Sequence, residues 1–349
     1  MKPIVDLRSD VCSMPTVAMR QAMASADIGV DDYGEDESIN RLERRFAEYL
    51  NKEAALFVHS GTMGNLIAVM THLEPEEKAL ISKHFHIFDY EGDAMRRVAR
   101  CKFEIVPDMT VKGLTRLHLD QCERLFHKRH TPKLMCLENP VCRLGGTLIT
   151  LEHMAELKAA ADAYRIPVHL DGARLFNAAR ALKLSCADLV SNVHTVMVDF
   201  VKAPAAPVGA MLAGPADFIS RARRNRWMLG GHWKQGGVLA AACEVAMDTM
   251  IERVSEDHAT ARQLAEGLNA IDGLMVDLDQ VMTNIVLLKV VAPDIDLEQL
   301  TRALERRGAR IGRFKPDRRC RLVTHHGVDA PAVSRFVDWV AQAVVEQRA

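Results

Sequence analysis

From residue 54 to residue 201 the chain keeps returning to one unit: a short apolar run, a turn, then a helical stretch. The runs are "AALFV" (54–58), "KALIS" (78–82), "KFEIV" (102–106), "KLMCL" (133–137), "PVHL" (167–170) and "TVMVDFV" (195–201). Helical periodicity is clear in "SINRLERRFAEYL", where Ser38 is the expected N-cap and Ile39, Leu42, Phe46, Tyr49 and Leu50 share one face. "LEHMAELKAAADAY" (151–164) is a second such stretch. Apolar strands alternating with helices predict an α/β fold, a mostly parallel sheet covered on both faces. Beyond residue 245 the alternation gives way to helix, strands, helix, strand and a last helix, "APAVSRFVDWVAQAVVEQ", the pattern of a smaller α+β unit. The expected division is an N-terminal arm (1–20), a large domain (21–244) and a small C-terminal domain (245–349).

With 349 residues, about half of them apolar, the chain can bury a large core. No stretch reaches the roughly 18 consecutive apolar residues of a membrane span, and "MKPIVDLRSD" turns acidic before a signal-peptide core could form. A cytoplasmic protein without membrane contact is expected. The eight cysteines show no CxxC pair and no metal-ligand spacing, so they read as reduced thiols and no metal is expected. A formal net charge of −1 gives no general attraction to nucleic acid, and "RARRNR" (221–226) is too short to change that.

Four features follow apolar runs, where open α/β sheets place ligands. In "SGTMGN", Ser60, Gly61 and Thr62 lie where a turn enters a helix, and free N–H groups there suit a phosphate, although small residues at such a place also serve simply as turn and cap. In "HLDGARLFNAA", Asp171 closes a strand and Arg174 lies three residues on, facing one crevice or forming a buried ion pair. Lys202 follows "TVMVDFV"; it either snorkels to solvent or stays desolvated as an amine of depressed pKa, able to form a Schiff base. In "SKHFHIFDYEGD", His84 and His86 follow another strand, with no third ligand spaced for a metal but with a ring able to stack on a flat ligand. A phosphate cradle, an aspartate, a lysine amine and a stacking histidine together match the needs of pyridoxal 5′-phosphate (PLP).

The sequence resembles the threonine aldolase and β-eliminating lyase family of PLP enzymes, which have the aspartate aminotransferase-like fold. "DLRSD" (6–10), "DDYGEDESINRLE" (31–43), "EAALFVHSGTMGN" (53–65), "LEN" (137–139), "HLDGARLFNA" (169–178), "APVGAML" (206–212), "KQGGVLAAA" (234–242) and "RLVTH" (321–325) carry the resemblance. It implies that Lys202 is the Schiff-base lysine, that Asp171 pairs with the pyridine nitrogen, that His86 stacks on the ring, and that Gly61 and Thr62 hold phosphate. Ser9, Arg174 and Arg321 match positions that bind the substrate α-carboxylate, and Tyr33 matches another active-site position. Arg226 matches an arginine that reaches the phosphate of a neighbouring subunit, implying a homo-oligomer, dimer or tetramer, with active sites shared across an interface.

Departures from the family pattern concentrate near the site. Val201, Ala203, Pro204 and Ala205 surround the lysine where the family has Ser-Lys-Gly-Leu-Gly, which stiffens the turn and removes a hydroxyl. Pro140, Val141 and Cys142 replace Thr-His-Asn, and His232 and Trp233 appear in "GGHWKQ". The expected activity is cleavage of the Cα–Cβ bond of L-threonine or L-allo-threonine to glycine and an aldehyde, with His86 as base and His130 as the second candidate. The rival readings are PLP-dependent β-elimination or racemisation of another amino acid, and a binding protein of the same fold without catalysis.

Overall fold

The computed structural model describes residues 4–128 and 131–349; His130 lies outside them. The central sheet has 7 strands: β1 (Ala54–Val58), β2 (Lys78–Ile81), β3 (Lys102–Ile105), β4 (Leu134–Glu138), β5 (Val168–Gly172), β6 (Thr195–Asp199) and β7 (Ala210–Gly214). Their spatial order is β1-β7-β6-β5-β4-β2-β3. All neighbours are parallel except β7, which runs antiparallel to both β1 and β6. The six apolar runs are therefore all strands, and β7, hidden in the motif "APVGAML", completes the sheet. Strands β4, β5 and β6 are buried at every residue, as a parallel sheet with helices on both faces requires.

The helix Glu37–Tyr49 buries Ile39, Leu42 and Phe46, with Leu50 just beyond it, as the periodicity implies, but Tyr49 is 38% exposed and the cap differs from expectation. Asp36 accepts the N–H of Ile39 at 3.1 Å, whereas the Ser38 hydroxyl donates to the Asp27 carbonyl at 2.7 Å. Both residue types cap helices, and a tertiary partner decided between them. The segment after β3 also forms a hairpin, Asp108–Val111 with Leu114–Leu117.

A second apolar core is built from residues 261–344 together with Val5 and Leu7. Here the helices Val254–Asn269, Leu297–Arg307 and Ala330–Arg348 cover a 3-stranded sheet of Leu274–Met275, Ile285–Val290 and Arg319–Val323. The N-terminal Val5–Asp6 pairs in parallel with Ala309–Arg310, so the start of the arm belongs to this unit by contact, whereas Met19 joins the core of the large sheet. Residue 245 falls inside the helix Gly237–Thr249, and Cys243, Ala246, Met250 and Val254 all join the core of the large sheet. We propose a division close to residue 254. Among the described residues no helix is long and apolar enough to cross a membrane.

Candidate active site

Strand register places the ends of three central strands side by side: Glu138 of β4 pairs with Asp171 of β5, and Asp171 with Met197 of β6. Lys202 follows β6 by one turn. A cavity of about 210 Å³ at this edge is lined by Ser9, His86, Tyr90, Glu138, Cys142, Asp171, Arg174, Lys202 and Arg321, among others. Arg321 comes from the small unit and Ser9 from the arm, so both units close the site. Six of the residues expected at the site, Ser9, His86, Asp171, Arg174, Lys202 and Arg321, thus meet around one cavity.

Lys202 does not reach open solvent; its side chain is 17% exposed and its Nζ lies 3.0 Å from Asp199 Oδ2. Asp199 is held in turn by the Val201 N–H, which donates to Oδ1 at 2.9 Å. Burial pulls the lysine pKa down and Arg174 adds to that, but Asp199, Asp171 and Asp10 outweigh them and the amine ends above its ordinary value. The expected depression is therefore reversed, because the strand carrying the lysine also carries its counter-ion three residues earlier.

Asp171 accepts from the Asn65 side-chain amide at 3.0 Å and from the Ala173 N–H at 3.0 Å. Asn65 also donates to Glu91 and accepts at Oδ1 from His169 Nε2 at 3.2 Å. Burial pushes the His169 pKa down to about 4, so this ring is neutral, and because the Asn65 amide nitrogen is turned to Asp171 and Glu91, its Oδ1 requires the ring proton on Nε2. His86 Nδ1 lies 2.9 Å from Glu91, and its ring stacks on Tyr90 with centroids 4.7 Å apart. Burial disfavours the His86 cation, but the Glu91 hydrogen bond and the nearby Asp171 and Glu138 raise its pKa overall. His86, Glu91 and Asp171 bring ligand-type atoms within 4.8 Å of one another, a cluster that spacing along the chain did not reveal. His84 turns elsewhere, to Asp108 at 2.9 Å.

Arg174 is buried in a two-pronged pair with Asp10, at 2.7 and 2.8 Å, so its ion-pair partner is Asp10 and not the Asp171 of its own motif, while Asp171 and Arg174 do line one crevice. Burial works against the charge of Arg174, but Asp10 more than compensates and raises its pKa. Arg321 donates to Cys142 Sγ at 2.9 Å. Burial raises the Cys142 pKa, yet Arg174, Arg321 and Lys202 together bring it below an ordinary thiol's. Glu138 accepts the N–H groups of His86 and Cys142; burial, then repulsion from Asp171 and Cys142, push its pKa up to about 8.

The phosphate candidates sit at the start of the helix Gly61–His72. Ser60 caps it, accepting from the Met63 N–H at 3.2 Å, while the N–H groups of Gly61 and Thr62 have no hydrogen-bond partner among the described residues. A Cβ on Gly61 would lie 3.2 Å from Asp199 Oδ2, the oxygen that pairs with Lys202, so this end of the helix adjoins the lysine. The Thr62 hydroxyl is turned to Glu91 at 3.1 Å. Free N–H groups at a helix start, a lysine amine and a buried aspartate in one place fit PLP.

Arg226 and Tyr33 do not join this cavity. Arg226 is 3% exposed, donating to Asp31 Oδ2 at 2.6 Å and to the Phe57 carbonyl at 2.9 Å, whereas Tyr33 is 79% exposed. Near Arg226, His59 and Trp233 stack 3.6 Å apart. His59 Nδ1, Arg226 Nε and His232 Nδ1 are buried there without partners among the described residues. Residues that spacing missed, namely Asp10, Asn65, Glu91 and Glu138, are all buried acids or amides that hold the expected ones in place, and Asp199 does the same for Lys202.

The model of the β-eliminating lyase family matches residues 6–291. The chain belongs to that family. This family member is 34% identical over 348 residues to low-specificity L-threonine aldolase 1 of Arabidopsis thaliana, covering 98% of this chain and 96% of the relative. An uncharacterised Caenorhabditis elegans protein, R102.4, is 41% identical over 272 residues, 76% of this chain and 64% of its own length. The Leishmania major threonine aldolase structure superposes with a TM-score of 0.80 at 23% identity over 97% of this chain and 99% of that one, which speaks for the fold. The lyase is thus a PLP-dependent enzyme of the aspartate aminotransferase-like fold.

Proposed function

We propose that this PLP-dependent lyase cleaves the Cα–Cβ bond of a β-hydroxy-L-amino acid, L-threonine or L-allo-threonine, to glycine and an aldehyde. The observation that carries the reading is the cavity that Lys202, Asp171, His86, Arg174 and Arg321 share. PLP, when bound, supplies the electron sink for the bond that breaks at Cα. Lys202 holds the cofactor and moves the proton at Cα. Asp171, fixed by Asn65, faces the cofactor's ring nitrogen, and the Gly61 and Thr62 N–H groups take its phosphate. Arg174, Arg321 and Ser9 hold the α-carboxylate, a task suited to guanidinium forks.

His86 takes the β-hydroxyl proton. Its Nδ1 is committed to Glu91, which leaves Nε2 as the accepting nitrogen, and the neighbouring carboxylates make the ring more basic. His130, the other candidate base, lies outside the described residues. A homo-oligomer is part of the proposal, on the match of Arg226 to the arginine that in the family serves a neighbouring subunit's site. The test is product identification: the PLP-loaded enzyme should release glycine and acetaldehyde in equal amounts from threonine. Pyruvate with ammonia, or D-amino acid without aldehyde, would replace this reading by elimination or racemisation.

A further inference from the structure

Beside the reaction cavity lies a second one of about 360 Å³, and the two share Tyr90, Cys142 and Arg321. Its lining carries six basic side chains, Arg8, Arg143, Arg313, Lys315, Arg319 and Arg321, against the single carboxylate of Asp317. Three of the six are already paired: Arg8 with Asp6 at 2.5 Å, Arg143 with Asp89 at 3.3 Å and Arg319 with Asp317 at 2.5 Å. Arg313 and Lys315 have no carboxylate partner among the described residues. Burial, followed by the charge of Arg143, lowers the Lys315 pKa, with Arg321 adding to the effect and Asp89 and Asp317 opposing it.

The loop that presents Arg313 and Lys315 is a built feature. Arg318 anchors it by donating to the carbonyls of Val290, Ala292 and Ile295 at 3.1, 2.9 and 2.7 Å. The Lys315 N–H also bonds the Arg319 carbonyl at 2.8 Å. Pro140 and Cys142, which line the reaction cavity, provide no hydroxyl or amide side chain to recognise a polar neutral substituent.

We propose that the substrate's side chain ends in an anionic group, a carboxylate or a phosphate ester, which Arg313 and Lys315 receive while Arg321 and Arg174 hold the α-carboxylate. This rests on the aldolase reading above and names its substrate class. The Cα–Cβ bond breaks, the β-hydroxyl proton passes to the base as C–O becomes C=O, and Cα takes up a proton, giving glycine and an anionic aldehyde.

Binding tests the site separately from turnover. With PLP-loaded enzyme, calorimetric titration of L-aspartate, O-phospho-L-serine and L-norvaline compares carboxylate, phosphate and neutral side chains. At least one anionic probe should bind about tenfold or more tighter than L-norvaline, and the R313Q/K315Q double variant should erase the difference. The tighter of the two anionic probes tells carboxylate from phosphate. Equal binding of all three probes, or a preference that survives in the double variant, overturns the proposal. In turnover, the ratio of kcat/KM for threo-β-hydroxy-L-aspartate or 4-phosphonooxy-L-threonine to that for L-threonine should fall in the double variant by the same factor. Threonine cleavage without anion preference would sink this inference alone, whereas anion-selective binding without glycine release from any substrate would sink the aldolase reading alone.

Discussion

Replacing Asp199 by asparagine removes one charge 3.0 Å from the Lys202 amine while keeping the shape that accepts the Val201 N–H. At that distance the attraction is about 5.5 kcal/mol for an effective dielectric of 20. Breaking buried pairs typically costs about 3–5 kcal/mol, and the partial exposure of Lys202 places Asp199→Asn near 3 kcal/mol in denaturant unfolding of the cofactor-free protein. The second effect is chemical. Asp199 is the largest influence that raises the lysine pKa, so the reactive neutral amine grows only as pH rises toward that raised value. The pair's stabilisation is fully present below the lysine's ordinary value of 10.5 and is lost as pH climbs through the raised one. Without Asp199 the neutral form appears at lower pH. The assay is the rate of PLP loading followed by visible absorbance between pH 6 and 10, for wild type and variant. The variant's rate–pH curve should lie at lower pH; curves that coincide, or a variant displaced to higher pH, would refute the assignment of Asp199 as the counter-ion.

Glu91→Gln should move the acidic limb of the kcat/KM profile to lower pH, because the raised His86 pKa depends on the Glu91 carboxylate and the base must be unprotonated; an unmoved limb would show that His86 is not the titrating base. Gly64→Ala should destabilise by about 1–3 kcal/mol in chemical denaturation, since its Cβ would sit 2.7 Å from Met197 Cγ, and overpacking of that size exceeds the roughly 1 kcal/mol that alanine gains in a helix. Arg226→Ala should cost about 3–5 kcal/mol in denaturant unfolding, because it strands the buried Asp31 carboxylate; a loss under 1 kcal/mol would contradict a buried pair.

The fold was legible because the runs of the inner strands β4, β5 and β6 are buried on both faces and stand out from the helical periodicity around them. Strand β7 was not, since "AMLAG" is mostly small residues without β-branching and follows a proline and glycine turn. The reacting groups were legible because they stand at or just beyond strand ends, where Asp171 and Lys202 interrupt apolar runs. Their supports were not. Asn65 reaches Asp171 across 106 residues of sequence and Asp10 reaches Arg174 across 164, so only the folded chain pairs them. Asp199 was visible as a polar residue in a buried strand, and its purpose emerged only when the turn brought Lys202 back onto it.

The central claim is that Lys202 is the amine that binds PLP. Borohydride reduction of the loaded enzyme followed by peptide mass mapping should find the pyridoxyl group on Lys202, and Lys202→Ala should lose both the visible absorbance and glycine release. A pyridoxyl group on another lysine, or a Lys202→Ala protein that keeps its colour and turnover, would contradict it.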